Sequence, residues 1–334
     1  MAARSSSGPL SAGALSSAPP SSAPFSAGPS SGLAGRKDEP TREPGDGGGP
    51  EASAWGPEEA RAWAQELGLR LRYDCSIDEL SPSLQGRFVQ LGVDESFAEY
   101  ALRARRRRHG RLLTWLHRSL RGLLSDFDIN GLLDTYPMHV LGRRQWEHLL
   151  PDAGGRLLDV GSGNGDVTAA LAPLFDDVTV VETSRWMARR LRRRGYRCHA
   201  VDLGAEAVPG GPYDVISLLN VLDRCDRPLS LLGNLRAALA PEGRLVIALV
   251  LPYRPFVYDG PISRAPTERL PLRGTTWEAA TNELVDEVLG PLGLEVEACA
   301  RAPYLSGGDA YQPLYELDDV VVVCRAHGNV ALIG

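Results

Sequence analysis

Apolar runs and amphipathic stretches alternate along the chain from Arg156 onward. Seven short apolar runs bounded by turn residues predict strands at Arg156–Val160, Val178–Glu182, Tyr196–Val201, Tyr213–Leu218, Arg244–Leu251, Leu294–Arg301 and Val320–Arg325. Apolar residues at helical spacing predict helices at Asp166–Leu174, Ser184–Arg194, Pro228–Ala240 and Trp277–Leu292. Because strands and helices alternate, we expect an α/β fold with a mostly parallel, seven-stranded sheet covered by helices on both faces.

The segment between the last two apolar runs has no helical periodicity. The two strands that it joins are therefore predicted to form an antiparallel hairpin at the end of the sheet. Pro303–Asp319 contains three tyrosines and is predicted to be a short loop, and one interpretation is that it returns over the functional site. Tyrosines are also ordinary in surface loops, so composition alone does not decide between a functional loop and a plain one.

Upstream of the alternating pattern, the chain changes character twice. Residues 1–54 are rich in Ser, Ala, Gly and Pro and predict a disordered low-complexity tail, with a transit peptide as the alternative. Residues 55–150 are predicted to be a helical N-terminal region without strands. Helix starts are expected near Trp55, Ser81 and Asp94, and a further helix at Leu112–Leu123. The domain that carries the sheet is placed at residues 151–334.

Composition narrows the class of protein. The net charge is −6 and no apolar stretch reaches the roughly 18–20 residues of a membrane span, so we expect neither a specific nucleic-acid partner nor a transmembrane span. Five scattered cysteines without ligand spacing favour reduced thiols and no metal site. Of two arginine-rich runs, Arg189–Arg194 is interpreted as a solvated helix face, whereas Arg103–Arg108 suits an acidic partner or an anionic lipid. A cytoplasmic location fits these features best.

The most informative chemical pattern is the glycine turn of Gly161, Gly163 and Gly165, which follows one predicted strand and opens a predicted helix. Glycines at alternate positions let the backbone pass close to a ligand, where a Cβ atom would clash. Asp159 precedes the turn and Glu182 closes the next strand. Both carboxylates are therefore expected at the carboxyl ends of parallel strands, where α/β sheets bind nucleosides. A turn needed only for packing is the alternative.

These residues favour S-adenosylmethionine over NAD as the cofactor. The turn lacks the Gly-x-Gly-x-x-Gly spacing of dinucleotide enzymes, and no second phosphate-binding feature is in view. A carboxylate at the position of Glu182 can accept hydrogen bonds from both ribose hydroxyls. The carboxylate of Asp159 suits the cationic amino group of the methionine moiety.

Two further candidates follow the strand that begins at Tyr213. Asn220 and Asp223 are expected at the same sheet edge as the glycine turn, facing the cleft where the methyl group is presented. The alternative is that Asp223 and Asp226 cap the helix that begins at Pro228, and we expect Asp226 to do so.

Four segments together resemble the methyltransferase-like protein 9 family, also called the DREV family. They are Leu157–Gly165, Asn220–Leu229, Ala248–Pro255 and Leu317–Asp319. The resemblance extends from about Leu112 to Arg325. It implies a class I, Rossmann-like methyltransferase that uses S-adenosylmethionine to methylate the pros nitrogen of histidine, the ring nitrogen nearer the backbone. It also implies that the substrates are proteins with His-x-His segments.

The resemblance implies roles for single residues. The implied cofactor contacts are Asp159, Gly161, Gly163, Glu182, Asn220 and Tyr304. The residues implied to hold the target imidazole are Asp223 and Tyr315. We interpret Asp223 as the acceptor of the N–H on the ring nitrogen that is not methylated, a contact that selects the tautomer and stabilises the cation that forms.

Two other interpretations stay open at this point. The first is a methyltransferase of the same fold that acts on a small molecule or another residue type. The second is a catalytically inactive adaptor that uses the fold to bind proteins, which the intact glycine turn and Glu182 disfavour. Because family members often begin with a membrane-directing or secretory segment, the endoplasmic reticulum and the mitochondrion are alternatives to a cytoplasmic location.

Overall fold

The computed structural model describes residues 55–106, 129, 133, 137–259, 262–308 and 312–326. The predicted tail over residues 1–54 and the predicted helix at Leu112–Leu123 lie outside these residues. Across the described ranges, the helices are too short or too polar for any of them to span a bilayer.

Strands in the described residues form one large sheet and one small one. The strands are β1 (Met138–His139), β2 (Arg156–Val160), β3 (Asp177–Val181), β4 (Arg197–His199), β5 (Tyr213–Leu219), β6 (Leu239–Val250), β7 (Val257–Asp259), β8 (Ile262–Arg264), β9 (Leu294–Gly307) and β10 (Leu314–Ala326). The large sheet has the order β1-β9-β10-β6-β5-β2-β3-β4, and β7 pairs with β8 in the small sheet. The five strands β2 to β6 run parallel to their neighbours among themselves, whereas β9 and β10 are antiparallel. This confirms the class I, Rossmann-like fold.

Helices cover both faces of the large sheet. They are α1 (Pro57–Glu66), α2 (Pro82–Gln85), α3 (Glu95–Arg106), α4 (Arg143–Leu149), α5 (Asp166–Leu171), α6 (Arg185–Arg193), α7 (Pro228–Ala238) and α8 (Trp277–Glu283). In β2, Leu157 joins the apolar core that includes α1, α3 and α4, while Leu158 joins the core that includes α7 and α8. Adjacent strand residues point to opposite faces, so a strand that is apolar at both positions requires cover on both sides.

One short strand was not expected in the N-terminal region. The prediction that residues 55–150 contain no strand is wrong at Met138–His139, which pairs with Leu305 and Ser306 of β9 at the edge of the large sheet. Two residues are too few to show an alternating pattern, so the sequence carries no periodic signal for this strand.

The prediction that Pro303–Asp319 is a loop is also wrong. β9 continues to Gly307 and β10 begins at Leu314, so most of the segment is a paired antiparallel ribbon. The physical reason is that Leu305 and Leu314 are fully buried and continue the inward-facing pattern beyond the predicted strand ends. Because Asp319 pairs with Val250 at the carboxyl end of β6, the ribbon extends past the sheet edge where the parallel strands end.

Candidate active site

The carboxyl ends of the parallel strands bring the predicted residues to one edge of the sheet. The glycine turn follows β2, Glu182 follows β3 and Asn220 follows β5. Ligands of open α/β sheets bind at this edge, where the loops that follow the strands meet. The extended ribbon of β9 and β10 adds side chains from a second direction.

The glycine turn requires glycine for two reasons. Gly161 has φ 72° and Gly163 has φ 55°, a left-handed backbone that side chains disfavour. A Cβ atom on Gly161 would lie 2.3 Å from Cγ2 of Val221. The N–H of Gly161 donates to the carbonyl of Val181 at 2.8 Å, which ties the turn to the end of β3. The backbone of the turn is therefore tightly packed between Val221 and the end of β3, beside Glu182.

Glu182 is buried and its carboxylate organises the backbone of the site. Its Oε2 atom accepts the N–H of Gly163 at 2.9 Å, and its Oε1 atom accepts the N–H of Ser184 at 2.8 Å. These two bonds hold the carboxylate at the end of β3, beside the glycine turn.

Asp159 has a different environment from the one expected. Its carboxylate is buried beneath the turn, where Oδ1 accepts the hydroxyl of Ser217 at 2.7 Å and Oδ2 accepts the hydroxyl of Thr168 at 2.6 Å. Burial raises the pKa of Asp159, and the two hydroxyl donors oppose that shift. These bonds join β2, β5 and α5 below the turn. Direct contact between Asp159 and a cationic amino group stays a prediction.

Half-buried Asn220 and buried Asp319 form a polar pair at the end of β5. Asn220 has φ 58°, and its Nδ2 atom donates to Oδ2 of Asp319 at 2.7 Å. The Oδ1 atoms of both side chains are buried and lack a hydrogen-bond partner among the described residues. Burial raises the pKa of Asp319 well above its usual range, and Asp223 adds to that shift. Buried acceptors without partners are costly, so two of them at one sheet edge indicate a ligand site.

Asp319 is a site residue that the sequence reasoning missed. The sequence signal for Asp319 is its position immediately before the apolar run Val320–Cys324. A carboxylate next to a buried apolar run is costly to bury unless it binds something. The backbone carbonyl of Asp319 accepts the indole N–H of Trp277 at 3.1 Å.

Asp223 lies in the turn after β5 and is 3% exposed. Its Oδ2 atom pairs with Nη1 of Arg224 at 2.8 Å, whereas Oδ1 is buried and has no partner within the described part of the chain. Burial raises the pKa of Asp223, and the guanidinium of Arg224 lowers it. Asp223 therefore offers one unoccupied acceptor oxygen on a carboxylate that already has a cation on its other side.

Asp226 does not cap the helix that follows it, so that expectation is wrong. α7 has Arg227 at its N-cap position and no side-chain cap. Instead, Oδ1 of Asp226 accepts from Nη1 of Arg264 at 2.6 Å and from the N–H of Thr267 at 2.9 Å. These donors lower the pKa of Asp226 to about 2. Asp226 fixes the segment around β8.

Asn220, Asp223 and Asp319 together are called the polar cluster. Tyr304 of β9 lies near its two carboxylates. Its hydroxyl donates to Sδ of Met138 at 2.7 Å. Burial raises the pKa of Tyr304, and the carboxylates of Asp319 and Asp223 raise it further. Tyr304 is therefore a neutral phenol next to the two carboxylates, and Met138 of β1 lies beside it.

Tyr315 lies further along the ribbon, opposite Ser306 on β9. It lines a cleft of about 350 Å³ between β10 and the segment that follows α1. The cleft is bounded by Gly68, Leu69, Arg70, Arg72, Gln312, Tyr315, Glu316, Leu317 and Asp318. Glu316 holds the two walls together, because its carboxylate accepts the backbone N–H groups of Arg70 and Leu71 at 2.6 and 2.7 Å.

The donor and acceptor set fits S-adenosylmethionine. The unpartnered oxygens of Asn220, Asp223 and Asp319 suit N–H and O–H donors, and the glycine turn lies at the same edge of the sheet. A search of the described residues finds no group of three or more His, Cys, Asp or Glu side chains that could hold a metal ion.

Several relatives share part of this chain. It is 29% identical over 126 residues to a ubiquinone biosynthesis O-methyltransferase of Xylella fastidiosa (strain 9a5c), an alignment that covers 34% of this chain and 50% of that protein. The protein of the same description from Xanthomonas axonopodis pv. citri (strain 306) is 27% identical over 124 residues, covering 34% and 51%. The chain thus spans about half the length of the curated relatives that it matches.

Solved structures show weaker likeness. N-methyltransferase NodS from Bradyrhizobium japonicum WM9, in complex with S-adenosyl-L-homocysteine, is 17% identical with a TM-score of 0.36, covering 55% of this chain and 85% of that one. A TehB-like SAM-dependent methyltransferase from Corynebacterium glutamicum ATCC 13032 is 18% identical with a TM-score of 0.38, covering 57% and 89%. These TM-scores are too low to bear on the site.

The family comparison covers most of the chain. The model of the DREV methyltransferase family matches residues 73–326, which include the glycine turn, the polar cluster and the ribbon. Because this match covers more than half of the chain, the chain belongs to the DREV methyltransferase family.

Proposed function

We propose that the protein transfers a methyl group from S-adenosylmethionine to the pros nitrogen of histidine in protein segments of the form His-x-His. The observation that carries the proposal is the free Oδ1 atom of Asp223, buried at the cofactor edge beside Asn220 and Asp319. The choice of histidine rests on the resemblance of these residues to the family motifs. Asp223 supplies the chemistry that such a substrate needs.

The cofactor would be held by the glycine turn, Glu182, Asn220 and Tyr304. When bound, S-adenosylmethionine supplies a methyl group on a positively charged sulfur, which needs a nucleophile with a lone pair and no further activation. Glu182 lies at the carboxyl end of β3, the position from which a carboxylate accepts hydrogen bonds from ribose hydroxyls in α/β folds. Asn220 Oδ1 has capacity for an N–H donor.

Asp223 would select the reactive form of the substrate ring. Neutral imidazole carries its proton on either nitrogen, and its usual pKa of about 6.5 makes the neutral form abundant at pH 7. If Oδ1 of Asp223 accepts the N–H of the tele nitrogen, the lone pair lies on the pros nitrogen. Methylation then leaves a cationic ring with its N–H still on Asp223, and a buried carboxylate stabilises that charge. The tele proton is lost to solvent after release.

The cleft beside Tyr315 would hold the residues that flank the target histidine. It lies between the ribbon and the segment after α1. Tyr315 is, with Asp223, one of the two residues that the family resemblance implies for the target imidazole. Arg70 and Arg72 are exposed on the opposite wall of the cleft. An extended peptide in such a cleft keeps alternate residues on one side, which brings both histidines of a His-x-His segment to the same face.

Transfer of labelled methyl groups to peptides tests the proposal. A peptide containing Ala-His-Ala-His should be labelled, and the same peptide with Ala in place of each His should not. Calorimetry with S-adenosylmethionine runs in parallel. Tight cofactor binding without label on the histidine peptide would sink the histidine assignment and favour a small-molecule or other substrate. Failure to bind the cofactor would favour the adaptor interpretation.

A further inference from the structure

We propose that Arg224, stacked on the ring of Phe256, is a positioning residue that keeps Asp223 ionised and turns its free oxygen toward the substrate. This inference rests on the proposed role of Asp223 as the acceptor of the imidazole N–H. Arg224 and Phe256 are not part of the glycine turn, and the family resemblance implies no role for either residue.

Three residues form a closed arrangement around the carboxylate. Nη1 of Arg224 lies 2.8 Å from Oδ2 of Asp223 and donates to its backbone carbonyl at 3.1 Å. The Cζ atom of Arg224 is 3.9 Å from the centroid of the Phe256 ring, which places the guanidinium over the aromatic face. The N–H of Phe256 donates to the same carbonyl of Asp223 at 3.0 Å. The loop after β6 is thereby fixed to the turn that carries Asp223.

This arrangement decides which carboxylate oxygen is available. Oδ2 is occupied by the guanidinium, so Oδ1 is left for an incoming donor. A planar guanidinium on an aromatic ring has less freedom than a solvated side chain, so the Asp223 rotamer is fixed before the substrate arrives. A fixed acceptor at the reacting centre reduces the ordering cost of binding.

The charges around Asp223 make a cation necessary. The acidic groups that interact with it electrostatically come from several elements and include Asp319, Tyr304, Tyr253 and Cys225. Two buried carboxylates near each other resist double ionisation. Arg224 opposes this by lowering the pKa of Asp223. Without Arg224, Asp223 would be protonated more readily, and protonation would compete with its role as an acceptor of the imidazole N–H.

The pH dependence of methyl transfer tests this role. In Arg224→Gln, the Asp223 ionisation in the acid limb of kcat/KM for the histidine peptide should move upward by about 1–3 pH units, the usual effect of an adjacent arginine on a carboxylate. This shift would steepen the limb that the substrate imidazole sets at about pH 6.5. Arg224→Lys should restore most of the profile, and Phe256→Leu should give an intermediate shift. Arg254→Gln, which removes an exposed arginine of the same loop, is the matched control. An unshifted profile in Arg224→Gln would overturn the inference.

A second readout needs neither substrate nor cofactor. Protein labelled with carbon-13 at aspartate carboxyls can be titrated by NMR, and Asp223→Asn identifies the Asp223 signal. The midpoint of that signal should rise in Arg224→Gln and stay near the wild-type value in Arg224→Lys. If the midpoint shifts but the wild-type protein does not methylate the histidine peptide, the proposed substrate is wrong and the effect of Arg224 on Asp223 stands. An unmoved midpoint in Arg224→Gln would contradict the effect of Arg224 on Asp223.

Discussion

The side-chain amide of Asn220 donates to Oδ2 of Asp319 at 2.7 Å, across the end of β6, which separates their strands in the sheet. The bond joins the residue that follows the parallel strand β5 to the antiparallel ribbon of β9 and β10. The Oδ1 atoms of both side chains are buried and have no hydrogen-bond partner among the described residues. Part of the site is thus built by strands that are far apart in sequence.

Replacing Asp319 by Asn should change how stability depends on pH. Burial raises the folded-state pKa of Asp319, so its ionisation costs stability as pH rises from about 4, the usual unfolded value, toward the folded value. Asn keeps an oxygen that can accept from Asn220 and cannot ionise. The free energy of unfolding of Asp319→Asn should therefore gain on wild type by up to about 1.4 kcal/mol per pH unit in that window. Urea unfolding between pH 4 and 8 measures it, and a constant difference would contradict the account.

Gly161→Ala should weaken cofactor binding at least tenfold with limited loss of stability. The new Cβ atom would lie 2.3 Å from Cγ2 of Val221 in a backbone with φ 72°, which shifts the turn that faces the cofactor. Gly195→Ala is the matched control, since Gly195 has φ 91° and nothing within 4 Å of a Cβ atom. Both variants should lose about 1–2 kcal/mol from left-handed backbone strain. Calorimetry should show at least a tenfold weaker affinity in Gly161→Ala alone, and equal affinity in both would refute the prediction.

Asp223→Asn should lower methyl transfer to a histidine peptide by about 100- to 1,000-fold, the usual effect of removing one group that stabilises a developing charge. The amide can still accept an N–H but does not balance a cationic ring. Cofactor affinity should change little. Asp226→Asn is the control, because Asp226 contacts Arg264 and Thr267 instead of the site. Full turnover by Asp223→Asn in single-turnover experiments would disprove the role.

Removing Arg70 and Arg72 should reveal whether the cleft beside Tyr315 holds substrate. The double change to Ala should raise KM for a peptide of about twelve residues roughly three- to tenfold with kcat unchanged, since exposed contacts contribute modestly. A tetrapeptide that does not fill the cleft should be unaffected. Arg189→Ala, an exposed arginine on α6, controls for the loss of positive charge. An equal effect on both peptides would argue against the cleft.

Periodic features of the sequence predicted the sheet well. β2 has the expected bounds, and the glycine turn, Glu182, Asn220 and Asp223 lie at the expected edge. Apolar periodicity and turn residues are local signals, and parallel strands have one ligand-binding edge. These features suffice to place the candidate residues at one edge of the sheet.

The parts that sequence reasoning missed depend on contacts between distant segments. Asp319 reaches the sheet edge because β10 pairs with β6 in the register that places Asp319 opposite Val250. The sequence of a single strand does not determine its register with a neighbour. Met138 reaches Tyr304 through a two-residue strand with no period. The bond pattern of Asp159 depends on Ser217, 58 residues away, which no local motif indicates.

The ring position of the methyl group tests the central claim most directly. A peptide containing Ala-His-Ala-His is incubated with the protein and labelled S-adenosylmethionine, hydrolysed, and resolved against pros- and tele-methylhistidine standards. If Asp223 holds the tele N–H, all of the label should appear in pros-methylhistidine. Label in tele-methylhistidine, or no labelled histidine despite cofactor binding, would contradict the account.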